Sequence, residues 1–121
     1  MQYLLLINRD EDYLPSLSEQ ERDAILEEFM ALTAELQASG AYVGANQLGP
    51  ATTAATVQVR DGEQVITDGP FAETKEQLGG YYLIDVASLD EALEWAAKIP
   101  SARHGSIEVR PLMQVPAEVE A

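Results

Sequence analysis

Apolar and polar positions along this chain repeat in two different periods, and the switches between them mark the elements. Residues 2–8 read QYLLLIN, an extended run with Tyr3, Leu5 and Ile7 on one face and Leu4 and Leu6 on the other. The period turns helical over 18–39, where Ile25, Phe29, Leu32 and Leu36 form a stripe flanked by Leu26 and Met30. Arg22, Glu27, Glu28 and Glu35 are expected on the opposite face. Ser18 with Glu21 has the spacing of a capping box, and Gly40 supplies a left-handed residue at the end. A second helix is predicted over 89–99, with Leu89, Ala92, Leu93 and Ala96 as its stripe. Ser88 and Glu91 repeat the capping box there, and Pro100 stops the helix.

Further strands are predicted at 42–48, 53–60, 63–67, 80–86 and 106–112. Asp61-Gly62 joins the third and fourth as a two-residue hairpin, since both central positions of a type I′ turn need positive φ. With that hairpin set aside as an insertion, the order is β-α-β followed by β-α-β. This predicts an α+β fold, the ferredoxin-like split βαβ sandwich, with both helices on one face of an antiparallel sheet. No composition shift marks a second domain, so residues 1–115 are expected to form one unit and 116–121 a loose tail. The strands are apolar on both faces: Tyr81 and Leu83 oppose Tyr82, Ile84 and Val86, as Leu4 and Leu6 oppose Tyr3. Helices can cover one face only, so a homodimer packed sheet to sheet is expected.

Composition narrows the function classes. The chain has 121 residues, 46% of them apolar, enough to bury a core without covalent staples. It has no cysteine, which removes disulfides, thiolate nucleophiles and Cys-ligated metals. Seven basic against 21 acidic residues leave a net charge of −14, a surface that repels phosphate backbones and anionic lipid. Neither nucleic acid nor a membrane is expected as a partner. The first strand lacks the basic flank of a signal peptide, so a cytoplasmic protein is expected.

The segments TDGPFAETKEQLGGYYLIDV, LDEALEWAAKIP and SIEVRPL resemble the DGPF-domain branch of the YCII-related proteins. The opening QYLLLIN and the Leu48-Gly49-Pro50 step fit the same pattern, so the resemblance covers nearly the whole chain. It implies a ferredoxin-like protomer forming a dimeric α+β barrel, in small bacterial proteins often encoded near extracytoplasmic-function sigma factors. The narrower YCII group carries a histidine early in the first helix, paired with an acidic residue. Leu17 to Gly40 contains no histidine here, so that mechanism does not transfer and only the DGPF segment does.

The candidate chemistry gathers around that segment. The single histidine, His104, sits between the second helix and the last strand, and is the one side chain suited to proton transfer near neutral pH. Asp68 or Asp85 would orient it. Asp68 also has a purely local reading, as an Asx-type turn former ahead of Gly69 and Pro70. Catalysis, if present, is assigned to Asp68 and His104. Phe71, Lys75, Tyr81 and Arg110 are the candidate substrate-binding residues. Lys75 lies between Glu73 and Glu76, which favour its charged form, so salt bridging competes with ligand binding. Arg110, mid-strand on the face opposite Ile107 and Val109, must find an acid or a ligand anion. Gly79-Gly80 lacks the surroundings of a phosphate cradle and reads as a bulge or close backbone approach. No metal and no cofactor are expected. The function expected is a small-molecule-binding protein or cofactor-independent enzyme, with a regulatory or protein-interaction module as the alternative.

Overall fold

The computed structural model describes residues 1–114; the expected tail, 116–121, lies outside them. Eight main elements follow in chain order: β1 (Gln2–Arg9), α1 (Glu19–Ser39), β2 (Tyr42–Gln47), β3 (Ala55–Arg60), β4 (Glu63–Asp68), β5 (Gln77–Asp85), α2 (Leu89–Ala97) and β6 (Ser106–Pro111). Short 3₁₀ turns at Leu14–Ser16, Ala51–Thr53 and Pro100–Arg103 link them.

α1 starts where its cap says it should. The Ser18 hydroxyl accepts from the Glu21 amide at 3.1 Å, and the Glu21 carboxylate accepts from the Ser18 amide at 3.0 Å. The helix ends at Gly40, which takes φ 81° and closes the last turn. At α2 only half of the expected box forms. Ser88 accepts from the Glu91 amide at 3.2 Å, but the Glu91 carboxylate turns to the amide of Ala87. The α2 stripe also differs from expectation. Ala92 and Ala96 are buried while Leu89 and Leu93 stay about half exposed, because the small alanines let the helix lie close on the sheet.

The main sheet has the order β2-β5-β1-β6, antiparallel throughout, which is the ferredoxin-like arrangement. Register decides which side chains meet. Leu5 lies opposite both Tyr82 and Val109, and Tyr3 opposite Ile84, on the face that the helices cover. With Ile7, Leu32, Leu36, Ala96 and Ile99 these residues form the core. Removing about 25 cal/mol per Å2 of apolar area from water makes this layer the main source of stability. Lys98 to Glu35 at 2.6 Å and Arg103 to Glu28 at 2.7 Å tie the second half of the chain to α1, both on the surface, where such pairs contribute little.

The opposite face carries Leu4, Leu6, Leu83 and Tyr81 in register, together with Glu108 and Arg110. No helix covers it. β3 and β4 form a separate two-stranded sheet. Their turn, Asp61-Gly62, takes φ 53° and 79°, the two positive angles that a type I′ turn requires. Val57, Val59, Val65 and Ile66 on this hairpin are all exposed. Among the described residues no helix is long and apolar enough to cross a membrane.

Candidate functional site

The sheet and α1 diverge at the end of β1, and a cleft opens between them. Its volume is about 310 Å3, at the lower end for small-molecule sites. Ile25, Leu26 and Phe29 of α1 make one wall, with Leu14 of the preceding 3₁₀ turn. Ile7, Ala45 and Tyr82 make the floor, and Asn46, Gln47 and Tyr81 the rim at the β2–β5 edge. Two arginines, Arg9 and Arg22, complete the lining, and among the described residues no carboxylate takes part in it.

Each position follows from local structure. Arg9 extends the odd-numbered face of β1 beyond Tyr3, Leu5 and Ile7, so the alternation of the strand turns it toward the helices. Its guanidinium lies over Gly79: a Cβ there would lie 2.8 Å from Arg9 Nε, and the register slips by one residue at this point, as a β-bulge does. Gly80 is needed for a different approach, since a Cβ would meet the Asn46 carbonyl oxygen at 2.8 Å. The glycine pair is therefore a bulge and a close backbone approach, inside β5 and not ahead of it. Arg22 stands three residues before Ile25 and seven before Phe29, which places it on the apolar stripe of α1. That corrects its expected place on the opposite face. Its Nη1 donates to the Leu17 carbonyl at 2.6 Å and more weakly to Leu14, which anchors the 3₁₀ turn to the helix.

The electrostatics of the cleft are unusual for so acidic a chain. The Arg9 guanidinium is half buried, and among the described residues it makes no hydrogen bond or ion pair. Burial lowers its pKa, an effect that the nearby Glu11 charge partly offsets. The Glu11 carboxylate accepts from the Ala51 amide at 2.7 Å. The Tyr82 hydroxyl shares a hydrogen bond of 2.9 Å with Thr33, and burial raises its pKa despite that bond. At the rim, Asn46 donates to the Tyr81 hydroxyl at 2.7 Å.

The residues singled out from the sequence do not converge on one point. Tyr81 borders the cleft. Asp68 and Lys75 line a shallower recess with Asp10, Asp12 and Glu73. His104 lines another, together with Asp10, Tyr13, Ser16, Lys75 and Glu76, so Lys75 alone of the expected residues belongs to both. Asp85, the other expected partner of His104, is bound instead to the N-terminal amine at 2.8 Å. His104 stacks on Tyr13, ring centroids 3.9 Å apart, and both ring nitrogens are shielded and unpartnered among the described residues. Phe71 is 89% exposed. Arg110 pairs with Glu108 on the helix-free face, the acid its strand position calls for.

The DGPF turn is held by backbone and not by its carboxylate. The Gly69 amide donates to the Ala54 carbonyl at 2.7 Å, and Thr56 donates to the Gly69 carbonyl at 2.8 Å. Among the described residues the Asp68 carboxylate makes no hydrogen bond, so the expected Asx-type turn does not form. Beyond it, Gln77 Nε2 donates to the Thr74 carbonyl at 2.9 Å and Ser106 to Glu76 at 2.9 Å, which fastens the loop to β5 and β6.

Fold and cleft together define a ferredoxin-like α+β domain with an amphipathic pocket between helix and sheet. The YCII-related domain family matches residues 1–116, and the chain belongs to that family. It is 43% identical over 114 residues to an uncharacterized protein of Rhizobium meliloti (strain 1021), a match that covers 93% of this chain and 92% of that one.

Proposed function

We propose that this protein binds a small molecule in the cleft between α1 and the sheet, as a binding protein or a cofactor-independent enzyme, and that it works as a cytoplasmic homodimer of the dimeric α+β barrel type. The carrying observation is the cleft itself: an apolar recess of about 310 Å3 with a few polar groups at its edge. Of the expected binding residues only Tyr81 borders the cleft, at its rim, where its place in register with Leu6 also puts it on the helix-free face. Any acid–base step would draw on His104 and Asp68, with Lys75 at the wall of both their recesses. The homodimer is supported by the row Leu4, Leu6 and Leu83 on the face that no helix covers.

Native mass spectrometry of the purified protein tests the binding reading, combined with a thermal-shift screen of metabolites. The expected result is a co-purified mass above the 13.2 kDa chain that denaturation releases, or a compound that raises Tm in proportion to its concentration. Bare chain mass and a library without effect would count against the cleft as a ligand site.

One observation favours the second reading, a regulatory or protein-interaction module of the DGPF branch acting with an extracytoplasmic-function sigma factor. The β3–β4 hairpin shows Val57, Val59 and Ile66 to solvent, and Phe71 stands beyond its base. Exposed apolar residues grouped in this way mark contact surfaces. Purified sigma factor titrated against the protein, with and without Phe71→Ser, distinguishes the two readings.

A further inference from the structure

Resting on the reading of the cleft as the ligand site, we infer that its ligand is an amphipathic organic anion: an apolar body against Ile25 and Phe29, and a carboxylate, sulfonate or phosphate facing Arg9.

The argument begins with where the positive charge goes. Acidic residues outnumber basic ones 21 to 7. Three of the seven cations, Lys98, Arg103 and Arg110, pair with glutamates on the surface. Arg60 and Lys75 are exposed on the hairpin and the following loop. The remaining two, Arg9 and Arg22, both line the cleft, and among the described residues none of the abundant carboxylates lines it with them. A guanidinium half removed from water with no ion pair, only the charge of Glu11 in its neighbourhood, is costly, and a chain this rich in acids could have supplied a closer partner. The guanidinium lies over Gly79, which offers it room but no negative charge. An incoming anion would restore the missing partner, and the planar donor fork of arginine suits an oxyanion.

The remaining walls select the body. Leu14, Ile25, Leu26 and Phe29 offer only apolar surface, so a small inorganic anion would leave most of the cleft unfilled. A strongly charged ligand such as a polyphosphate would meet the net charge of −14 outside with a single unpaired guanidinium inside. One acid group on a compact apolar body satisfies both ends.

Fluorescence titration of the full-length protein with two dyes tests this: anilinonaphthalene sulfonate and anilinonaphthalene itself, the same rings without the acid. Backbone amide shifts of Phe29 and Gly80 report whether each dye enters the cleft. The expected result is that the sulfonate binds about tenfold or more tightly than the neutral dye, moving those amides. Arg9→Met should weaken the sulfonate about tenfold and change the neutral dye by less than about twofold. Equal binding of both dyes in the cleft, unaffected by Arg9→Met, would overturn the anion assignment and leave the cleft standing as an apolar site. If neither dye moves the Phe29 and Gly80 amides, including the case of binding around Val57 and Ile66, the cleft reading fails and the ligand class with it. The comparison of dyes on the unmodified protein decides even where Arg9→Met does not fold.

Discussion

His104 shows how much a side chain's surroundings decide. Its type suggests proton transfer, yet its ring is stacked on Tyr13 with both nitrogens shielded. Burial first, then the positive charges of Arg103 and Arg9, lower its pKa in the fold. Asp10, Asp12, Lys75 and Glu76 border the same recess. The unfolded chain therefore takes up this proton at higher pH than the folded one. Stability from neutral His104 is complete above about pH 6.5 and is lost as pH falls below that value. Melting curves across pH 5.5–7.5 should show a steeper acid decline for the natural protein than for His104→Asn; parallel curves would contradict the shielding. Sequence periodicity did contain one unread signal at this scale. Arg9 continues the inward phase of Tyr3, Leu5 and Ile7, and Arg22 continues the stripe of Ile25 and Phe29. Both were legible as inward-facing cations. Their convergence was not, because residues in different elements meet only through the packing of α1 on the sheet.

Among the elements, the β3–β4 hairpin stands apart. Its strands pair with each other along their whole length, Ala55 with Asp68 through Arg60 with Glu63, and among the described residues with no strand of the main sheet. Isolated hairpins are marginally stable at best, so this one contributes little to the stability of the domain. Its ends already meet, the Gly69 amide bonding Ala54 at 2.7 Å, so residues 55–68 can be replaced by a short glycine-serine link. The shortened protein should keep a cooperative melt, with Tm within about 4 °C of the original, equivalent to about 1 kcal/mol. Loss of the cooperative transition would show that the hairpin is part of the core unit. The turn Asp61-Gly62, the Ser18 cap and the Gly40 stop were all readable, because each is a contact within a few residues. The second cap was readable only in half: Glu91 could bond either Ser88 or Ala87, and the entry angle of the chain from β5 decides between them.

At the scale of the whole molecule, the unresolved balance is that of the helix-free face. Leu4 lies opposite Leu83 and Leu6 opposite Tyr81 across β1 and β5, an apolar row on the outside of the protomer. Packing it against a second copy would remove it from water and close the barrel. Sedimentation equilibrium at micromolar concentration should give twice the 13.2 kDa chain mass, and Leu83→Lys should return it to the monomer. A monomer before any substitution would sink the dimer, and with it the barrel. What the sequence by itself determined was whatever local periodicity and short-range turn chemistry can express: the two helices, the strands, the hairpin and the ferredoxin-like order. The family resemblance drew attention to the DGPF loop; how its residues lie relative to one another only the tertiary structure decided. Asp68 and His104 line separate recesses, while the most apolar cleft lies between α1 and the β2–β5 edge, lined by two arginines that no motif marks. The reason is physical. A cleft is the gap left between elements that pack imperfectly, and its charge is the sum of side chains far apart in the chain, neither of which any local pattern records.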